Sequence, residues 1–184
     1  MFIRTERLFL RPAFPEDWRD VYRGLADERI VRMLARVPWP YTEAHAQQFC
    51  ADQQQRGPLS FLVTLPNKPG APAIGTIGIG SFGQNPHELG YWFARDHWGQ
   101  GYATEAARGI LRTARALGID KVTAGHFVEN PASGRVLRKV GFRETGEVRP
   151  ISSAGRGGAM VLSRRYVASL VDGAEALEDL DAAA

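Results

Sequence analysis

Cysteine is nearly absent from this sequence, and its scarcity excludes several classes of protein. The 184 residues contain a single cysteine, Cys50, so the chain cannot build a disulfide framework of its own or a metal site made of several cysteines. Cys50 falls within a helical pattern, so we expect it to be a buried packing residue and not an acyl carrier. This composition is typical of a protein that works in a reducing cytoplasm.

Long apolar runs are also missing. No stretch approaches the roughly 20 apolar residues that a membrane-spanning helix needs. The first residues, Met1 to Arg4, lead into a strand pattern rather than a signal peptide, so a cytoplasmic location is expected. With 44% hydrophobic and 23% charged residues, we expect a single domain over residues 1–171, followed by an acidic, alanine-rich tail over residues 172–184.

Lysine is scarce, because only three of the 23 basic residues are lysines and the rest are arginines. Arginine suits anionic partners such as phosphates or RNA. The arginines are scattered along the chain without interleaved aromatic residues, and the net charge is only +3, which favours an ordinary solvated surface. An RNA-binding module remains a rival hypothesis, and it predicts salt-sensitive affinity for RNA.

Two common nucleotide-binding motifs are excluded. The pattern Gly-x-x-x-x-Gly-Lys-Ser/Thr of nucleoside triphosphate loops occurs nowhere in the chain. Residues Gly78 to Gly83 match Gly-x-Gly-x-x-Gly, but they are followed by Asn85-Pro86 and another strand pattern rather than by a helix. A dinucleotide-binding site is therefore not expected here.

The most informative stretch runs from Glu88 to Leu117. Alternating apolar residues predict a strand, Gly99 and Gly101 interrupt it, and apolar residues at helical spacing then predict a long helix from Ala103 onward. A helix that begins directly after a glycine turn presents unpaired backbone N–H groups and a partial positive charge, which together suit phosphate oxygens. The alternative is a tight turn that needs glycine only for its dihedral angles.

The remaining patterns predict a mixed α/β protein. The predicted strands are residues around Leu8 and Leu10, a hairpin of 61–65 and 74–82, and the segments 121–127, 142–148 and 159–166. The predicted helices begin near Pro15, Asp27, Thr42 and Asn130. Because the long helix connects the strand before it to 121–127, those two strands are expected to be parallel.

Four separated motifs resemble those of the GCN5-related N-acetyltransferase (GNAT) family. Trp98-Gly99-Gln100-Gly101-Tyr102-Ala103 is similar to its pyrophosphate-binding motif, although Trp98 stands where many members have Gln or Arg. Asn130-Pro131-Ala132-Ser133, Lys139-Val140-Gly141-Phe142 and the opening Thr5-Glu6-Arg7-Leu8 resemble the ribosomal-protein N-acetyltransferase branch. The resemblance covers roughly residues 3 to 165.

The resemblance implies a GNAT fold and acetyl transfer from acetyl-CoA directly to a primary amine, without a metal. The fold would be a strongly twisted, mixed sheet of about seven strands with a splayed parallel central pair and about four helices. By the same resemblance, the backbone of Trp92, Phe93 and Ala94 would lie beside the thioester arm. The pyrophosphate would be held by the loop and first helical turn formed by Gly99, Gln100, Gly101, Tyr102, Ala103 and Thr104.

The resemblance also suggests catalytic candidates. Ser133 would protonate the leaving thiolate and Asn130 would orient cosubstrate or water, although helix capping alone explains both residues. A tyrosine that many relatives carry further along this helix is replaced by Leu137. Two residues are candidates for the general base: Glu88 acting through water, and His126, whose side-chain type has a natural pKa near roughly 6.5.

More than one class of acceptor amine is compatible with the sequence. By resemblance, Trp39 and Tyr41 are candidate acceptor contacts, and packing of their loop onto the core is the alternative. The acceptor is a peptide or protein N-terminus or a small-molecule amine. A non-catalytic acyl-CoA-binding sensor is a further alternative, and the protein is expected to be a monomer or a homodimer without membrane contact.

Overall fold

The computed structural model describes residues 1–52 and 57–171, and it reproduces most of the predicted elements. The helices are α1 (Trp18–Leu25), α2 (Glu28–Val31), α3 (Glu43–Ala51), α4 (Tyr102–Ala116) and α5 (Pro131–Lys139). The strands are β1 (Ile3–Arg4), β2 (Phe9–Arg11), β3 (Ser60–Thr64), β4 (Ala73–Phe82), β5 (Asn85–Phe93), β6 (Lys121–Phe127), β7 (Arg143–Ser153) and β8 (Ala159–Ser169). The predicted tail over residues 172–184 lies outside the described residues.

One eight-stranded sheet has the strand order β1-β2-β3-β4-β5-β6-β8-β7. The neighbours β5 and β6 are parallel, and the other pairs of neighbours are antiparallel. The predicted fold is confirmed, with eight strands and five helices in the described residues where about seven and about four were expected. The two-residue strand β1 is too short to show any periodicity in the sequence.

The two faces of the sheet are covered by different helices. Alternate residues of β5 point to opposite faces, so Leu89 and Phe93 pack with α4 and α5, whereas Trp92 packs with α1, α2 and α3. Gly24 of α1 makes room for the Trp92 ring, because a Cβ atom there would lie only 2.5 Å from a ring carbon. The sheet is therefore buried on both sides around β5.

The parallel pair β5–β6 opens into a fork. The two strands pair only at Glu88↔Thr123 and Leu89↔Ala124. Beyond these positions β5 stays paired with β4 as far as Phe93, and β6 stays paired with β8 as far as Phe127. Because both outer partners hold their strands while the inner pairing stops, a gap opens between β5 and β6.

Local sequence signals place the two helices that flank this fork. Gly101 adopts φ +81° immediately before α4, a conformation that favours glycine. Asn130 caps α5, and its side-chain oxygen accepts a hydrogen bond from the Ser133 N–H at 3.2 Å. Both helix starts agree with their predicted positions.

The last hairpin is longer than predicted. Strand β7 continues past Val148, where the sequence pattern ended, and it pairs with β8 as far as Ser153↔Ala159. Pro150 obscured this continuation, because proline cannot donate a ladder hydrogen bond. It is tolerated here because β7 is the outer strand of the sheet.

Two kinds of feature are absent from the described residues. In the segments 1–52 and 57–171, no helix combines the length and the apolar character needed to cross a membrane. Across the same two segments, no three His, Cys, Asp or Glu side chains are grouped as metal ligands would be.

Candidate active site

A large cleft opens at the fork between β5 and β6. Its volume is about 1010 Å³, and residues from both faces of the sheet line it. Tyr41 and Trp92 belong to the face covered by α1 to α3, while Leu89 and Leu137 belong to the face covered by α4 and α5. The cleft therefore passes through the sheet, so two molecules can enter from opposite sides and meet at the fork.

The backbone of β5 is exposed to this gap at alternate residues. The Ala94 N–H donates a hydrogen bond to the Ile74 carbonyl at 2.8 Å, so the backbone groups of Ala94 point toward β4, and by alternation those of Trp92 do as well. The backbone groups of Tyr91 and Phe93 consequently point toward the gap. Of the three residues predicted to lie beside a thioester arm, Phe93 is the one whose backbone faces the fork.

The glycine loop leads into the N-terminus of α4, where backbone amides could bind an anion. Gly99 and Gly101 have φ values of +74° and +81°, and a Cβ atom added to Gly99 would meet no atom within 4 Å. The hydrogen bond from the Glu105 N–H to the Gly101 carbonyl, at 3.0 Å, is the first of the helix. The amides of Tyr102, Ala103 and Thr104 precede it and have no helical acceptor.

The N-terminal segment braces this loop. Arg7 donates from Nε to the Glu105 carboxylate at 2.7 Å and from Nη1 to the Gln100 carbonyl at 3.0 Å, and it stacks over the Tyr102 ring at 4.7 Å. The Thr5 hydroxyl also donates to Glu105 at 2.6 Å. Burial raises the pKa of the Glu105 carboxyl, but hydrogen bonds from Thr5 and Arg7 outweigh it, so the pKa is lowered overall.

A hydroxyl pair spans the fork. Tyr91 of β5 reaches Ser133 in the first turn of α5, where the Tyr91 Oη and Ser133 Oγ atoms are 2.8 Å apart. The Tyr91 hydroxyl also lies 3.3 Å from the Ser133 carbonyl oxygen, to which it can donate. Burial raises the pKa of Tyr91 to about 12 despite the Ser133 hydrogen bond, so the phenol stays protonated at physiological pH.

Glu88 is held in a buried ion pair. Both nitrogens at the end of the Arg165 guanidinium donate to the Glu88 carboxylate, one of them at 3.1 Å. The side chains of Arg165 and Glu88 are only 6% and 12% exposed. Arg165 reaches from β8 across β6 to β5, and it passes over Gly125, where any side chain would collide with the guanidinium. The pair bridges three strands at the base of the fork.

His126 is buried within a hydrogen-bond network. Its Nδ1 atom lies 2.8 Å from the Phe127 carbonyl oxygen, and a carbonyl can only accept, so Nδ1 carries a hydrogen. The Nε2 atom lies 3.3 Å from the Tyr166 hydroxyl. His126 lines the cleft together with Glu88 and Ser133.

The two candidate acceptor contacts, Trp39 and Tyr41, have different positions relative to the cleft. Tyr41 is buried and lines the cleft, whereas Trp39 is 38% exposed and is not among the lining residues. Cys50 is buried in the cluster between α1 and α3 and does not line the cleft either.

The fork gathers Glu88, His126, Asn130 and Ser133 around one cleft, and the glycine loop lies at the start of α4. Sequence reasoning missed three residues that contact these candidates, Tyr91, Arg165 and Tyr166. Tyr91 was interpreted only as an apolar strand residue, and Arg165 was one of many arginines. A buried strand position occupied by arginine opposite a glycine is the signal that could have singled out Arg165.

The geometry fits acetyl-CoA, a long cosubstrate with a pyrophosphate at one end and a thioester at the other. The three free amides at the start of α4 suit the phosphates. The backbone groups of Tyr91 and the Phe93 N–H suit the amide-containing arm, whereas the Phe93 carbonyl already accepts a hydrogen bond from the Trp98 indole N–H at 2.7 Å. The gap between the strands leaves space for this arm.

Comparisons with known proteins support the same conclusion. A family model described as "Acetyltransferase (GNAT) domain" matches residues 7–143. The chain is 30% identical over 148 residues to the uncharacterized N-acetyltransferase YnaD of Bacillus subtilis (strain 168), covering 79% of this chain and 85% of YnaD.

Solved structures share the fold. An acetyltransferase of the GNAT family from Bacillus anthracis superposes with a TM-score of 0.78 at 25% identity, covering 92% of this chain and 99% of that one. The ribosomal-protein-S5-alanine acetyltransferase from Vibrio fischeri gives 0.71 at 16% identity, covering 94% and 98%. The microcin C7 self-immunity acetyltransferase MccE, solved with acetyl-CoA and AMP, gives 0.73 at 15% identity, covering 89% and 93%. The chain therefore belongs to the GNAT acetyltransferase family, and it is an acetyl-CoA-dependent N-acetyltransferase.

Proposed function

We propose that the protein transfers the acetyl group of acetyl-CoA directly to the α-amino group of a peptide or protein N-terminus. One observation carries the direct transfer: the cleft passes through the sheet, so cosubstrate and amine can meet at the fork from opposite faces. Cys50, the chain's single thiol, does not line this cleft, so no acyl-cysteine step is needed.

The chain's own groups supply orientation and proton transfer. The Phe93 N–H faces the gap and would donate a hydrogen bond to the thioester oxygen as the amine nitrogen bonds to its carbon. Ser133 would give its hydroxyl proton to the sulfur as the carbon–sulfur bond breaks. The Tyr91 hydroxyl, 2.8 Å from Ser133 Oγ, would then return a proton to Ser133, and the Tyr91 phenolate would take a proton back from water once the products leave the cleft. Asn130 keeps Ser133 in place by capping α5.

The amine must also lose a proton, and two groups remain candidates for receiving it. Glu88 uses both carboxylate oxygens to accept from Arg165, but a carboxylate has about four lone-pair positions, so it can still accept from a water. His126 would accept at Nε2, the nitrogen next to Tyr166. Neither group is required to be strongly basic if the amine is already partly neutral.

An α-amino group is favoured as acceptor, because a partly neutral amine does not require a strong base. An α-amine has a pKa near roughly 7.7 to 8.0, whereas a lysine amine has a pKa near roughly 10.4. At neutral pH the α-amine is therefore several hundred times more often neutral, at a factor of about ten per pKa unit. The ribosomal-protein-S5-alanine acetyltransferase, which shares the fold, is named for a protein acceptor, and this supports the same choice.

The test is mass spectrometry of acetylated products. The purified protein is incubated with acetyl-CoA and peptides that contain both a free N-terminus and an internal lysine. We expect acetylation at the N-terminus, and the same peptides with a blocked N-terminus should release little thiol. Modification confined to lysine side chains, or to free small amines supplied in parallel, would contradict the proposal.

A further inference from the structure

The half of the cleft on the α1–α3 side lacks unpaired negative charge. Among the described residues that line the cleft, Glu88 is the only carboxylate. Its charge is already matched by the buried guanidinium of Arg165 through two hydrogen bonds. An incoming second ammonium group would therefore find no free carboxylate on the described walls.

This charge distribution discriminates between classes of amine. Aminoglycosides and polyamines carry several ammonium groups, and moving such a group into a partly enclosed cleft costs free energy unless an opposite charge receives it. Arg36, which lines the cleft, adds repulsion. The cleft is thus poorly matched to polycationic acceptors and better matched to amines whose other charges are negative.

Aromatic and aliphatic side chains form much of the wall of the same half, next to the polar side chains of His45 and Gln48. Tyr41, Phe49, Phe82 and Trp92 line it together with aliphatic residues from the segment after α2. Such a surface favours an apolar group next to the reacting amine, because burying that group gains roughly 25 cal/mol for each Å² removed from water. A first residue with an apolar side chain fulfils this condition.

Arg36 is placed to receive an anionic group. Its guanidinium lies over the Phe82 ring at 5.4 Å, and so joins the segment after α2 to the end of β4. Within residues 1–52 and 57–171, no carboxylate lies within ion-pair distance of it. An exposed arginine stacked on an aromatic ring presents its guanidinium edge for hydrogen bonds to a carboxylate.

We infer that the acceptor is a peptide N-terminus with an apolar first residue and an acidic residue close behind it, and that polycationic amines are excluded. The inference rests on the proposed function and restricts the range of N-termini that can serve as acceptor. It depends on one unmatched positive charge, that of Arg36, in a cleft whose carboxylate is already paired.

The test compares three peptides that differ only at the second residue, with sequences beginning Met-Glu, Met-Gln and Met-Lys, alongside a linear triamine and an aminoglycoside. We expect kcat/KM to fall about tenfold from the Glu peptide to the Lys peptide, with little turnover of the two polycations. The variant Arg36→Glu should reverse the order of the peptides. The matched control Arg32→Glu changes an exposed arginine of the same segment that does not line the cleft, and it should keep the order.

The possible outcomes distinguish failure of the inference from failure of the proposed function. Efficient acetylation of the triamine or the aminoglycoside, or an unchanged order in Arg36→Glu, would overturn the inference while leaving acetyl transfer intact. Transfer to none of the amines, in a protein that acetyl-CoA still stabilises against heat, would overturn both.

Discussion

In the proposed mechanism, the hydroxyl groups of Ser133 and Tyr91 deliver the proton to the leaving thiolate. If Tyr91 replenishes Ser133, then Tyr91→Phe should lower kcat roughly tenfold and Ser133→Ala roughly a hundredfold, with KM for acetyl-CoA nearly unchanged in both. The double variant should be no slower than Ser133→Ala alone, because Tyr91 acts through Ser133. Thiol release under saturating acetyl-CoA measures these rates.

Tyr22→Phe is the matched control, since Tyr22 packs on the opposite face of the sheet at α1 and should leave kcat unchanged. The Tyr91 pKa of about 12 adds a second readout. A phenol that stays protonated up to that value contributes no limb to the pH profile below pH 10, so Tyr91→Phe should shift the rate without changing the profile's shape. Equal turnover of Tyr91→Phe and the unaltered protein would exclude the relay.

The buried Glu88–Arg165 ion pair should have a measurable effect on the free energy of unfolding. Arg165→Met leaves a buried carboxylate without its partner, which typically costs about 3 to 5 kcal/mol of unfolding free energy. The double variant Glu88→Gln/Arg165→Met removes that charge as well and should be more stable than Arg165→Met alone. Urea denaturation of the two variants gives the comparison, and strictly additive losses would show that the pair is not coupled in the folded protein.

At the scale of elements, the start of α4 is the site that we propose for the cosubstrate phosphates. Acetyl-CoA should raise the melting temperature, because a ligand that binds only the folded state stabilises it by about 2.7 kcal/mol at a hundredfold excess over its Kd. Gly101→Val should largely abolish this shift, since Gly101 has φ +81° and a branched side chain there would stand beside the free amides.

The control for this variant is Gly118→Val at the other end of the same helix. Gly118 also has a positive φ, +78°, and no atom lies within 4 Å of its added Cβ. Both variants should lose similar stability from backbone strain, but Gly118→Val should keep the acetyl-CoA shift. A full shift in folded Gly101→Val would contradict the phosphate site.

Elements set by local signals could be predicted from the sequence, and elements set by distant partners could not. The start of α5 is set by Asn130 before Pro131, and the start of α4 by Gly99 and Gly101. Both helices therefore begin where they were expected. The length of β7 depends instead on its pairing with β8, and β1 exists only because β2 lies beside it. The same distinction applies to the site.

The glycine loop is contiguous in sequence and carries a recognisable motif, so the sequence alone makes it a candidate site. The contact between Tyr91 and Ser133 joins positions 42 apart, and the Glu88–Arg165 pair joins positions 77 apart. No local pattern announces such partners, because they meet only when β5, β6 and β8 take their places in the sheet. Candidate residues were therefore predictable, while their partners required the fold.

At the scale of the whole molecule, the N-terminal segment is tied to the first turn of α4 through Glu105, about 100 positions away in the chain. Glu105 accepts from the Thr5 hydroxyl at 2.6 Å, from the Arg7 N–H at 2.8 Å and from the Arg7 guanidinium at 2.7 Å. Its side chain is 15% exposed. Protonating this one carboxyl therefore weakens the attachment of the first two strands to α4.

The pH dependence of stability follows from the direction of the pKa shift. The folded-state pKa of Glu105 is lowered below the ordinary value of 4.5, because its hydrogen bonds outweigh burial. The stabilisation is then fully present above pH 4.5 and is lost as the pH falls through the lowered folded-state pKa. At pH 7, Glu105→Gln should cost roughly 1 to 2 kcal/mol, a modest value because Arg7 is solvent-exposed.

Denaturant titrations between pH 3 and pH 8 would measure this difference. The gap in unfolding free energy between the unaltered protein and Glu105→Gln should be constant above about pH 5 and should narrow steadily in more acidic solution. Glu6→Gln serves as the control, since Glu6 is an exposed carboxylate of the same turn whose side chain makes no hydrogen bond within the described residues, and it should show little gap at any pH. A gap for Glu105→Gln that stays constant down to pH 3 would mean that the ionised carboxylate is not what joins the N-terminal segment to α4.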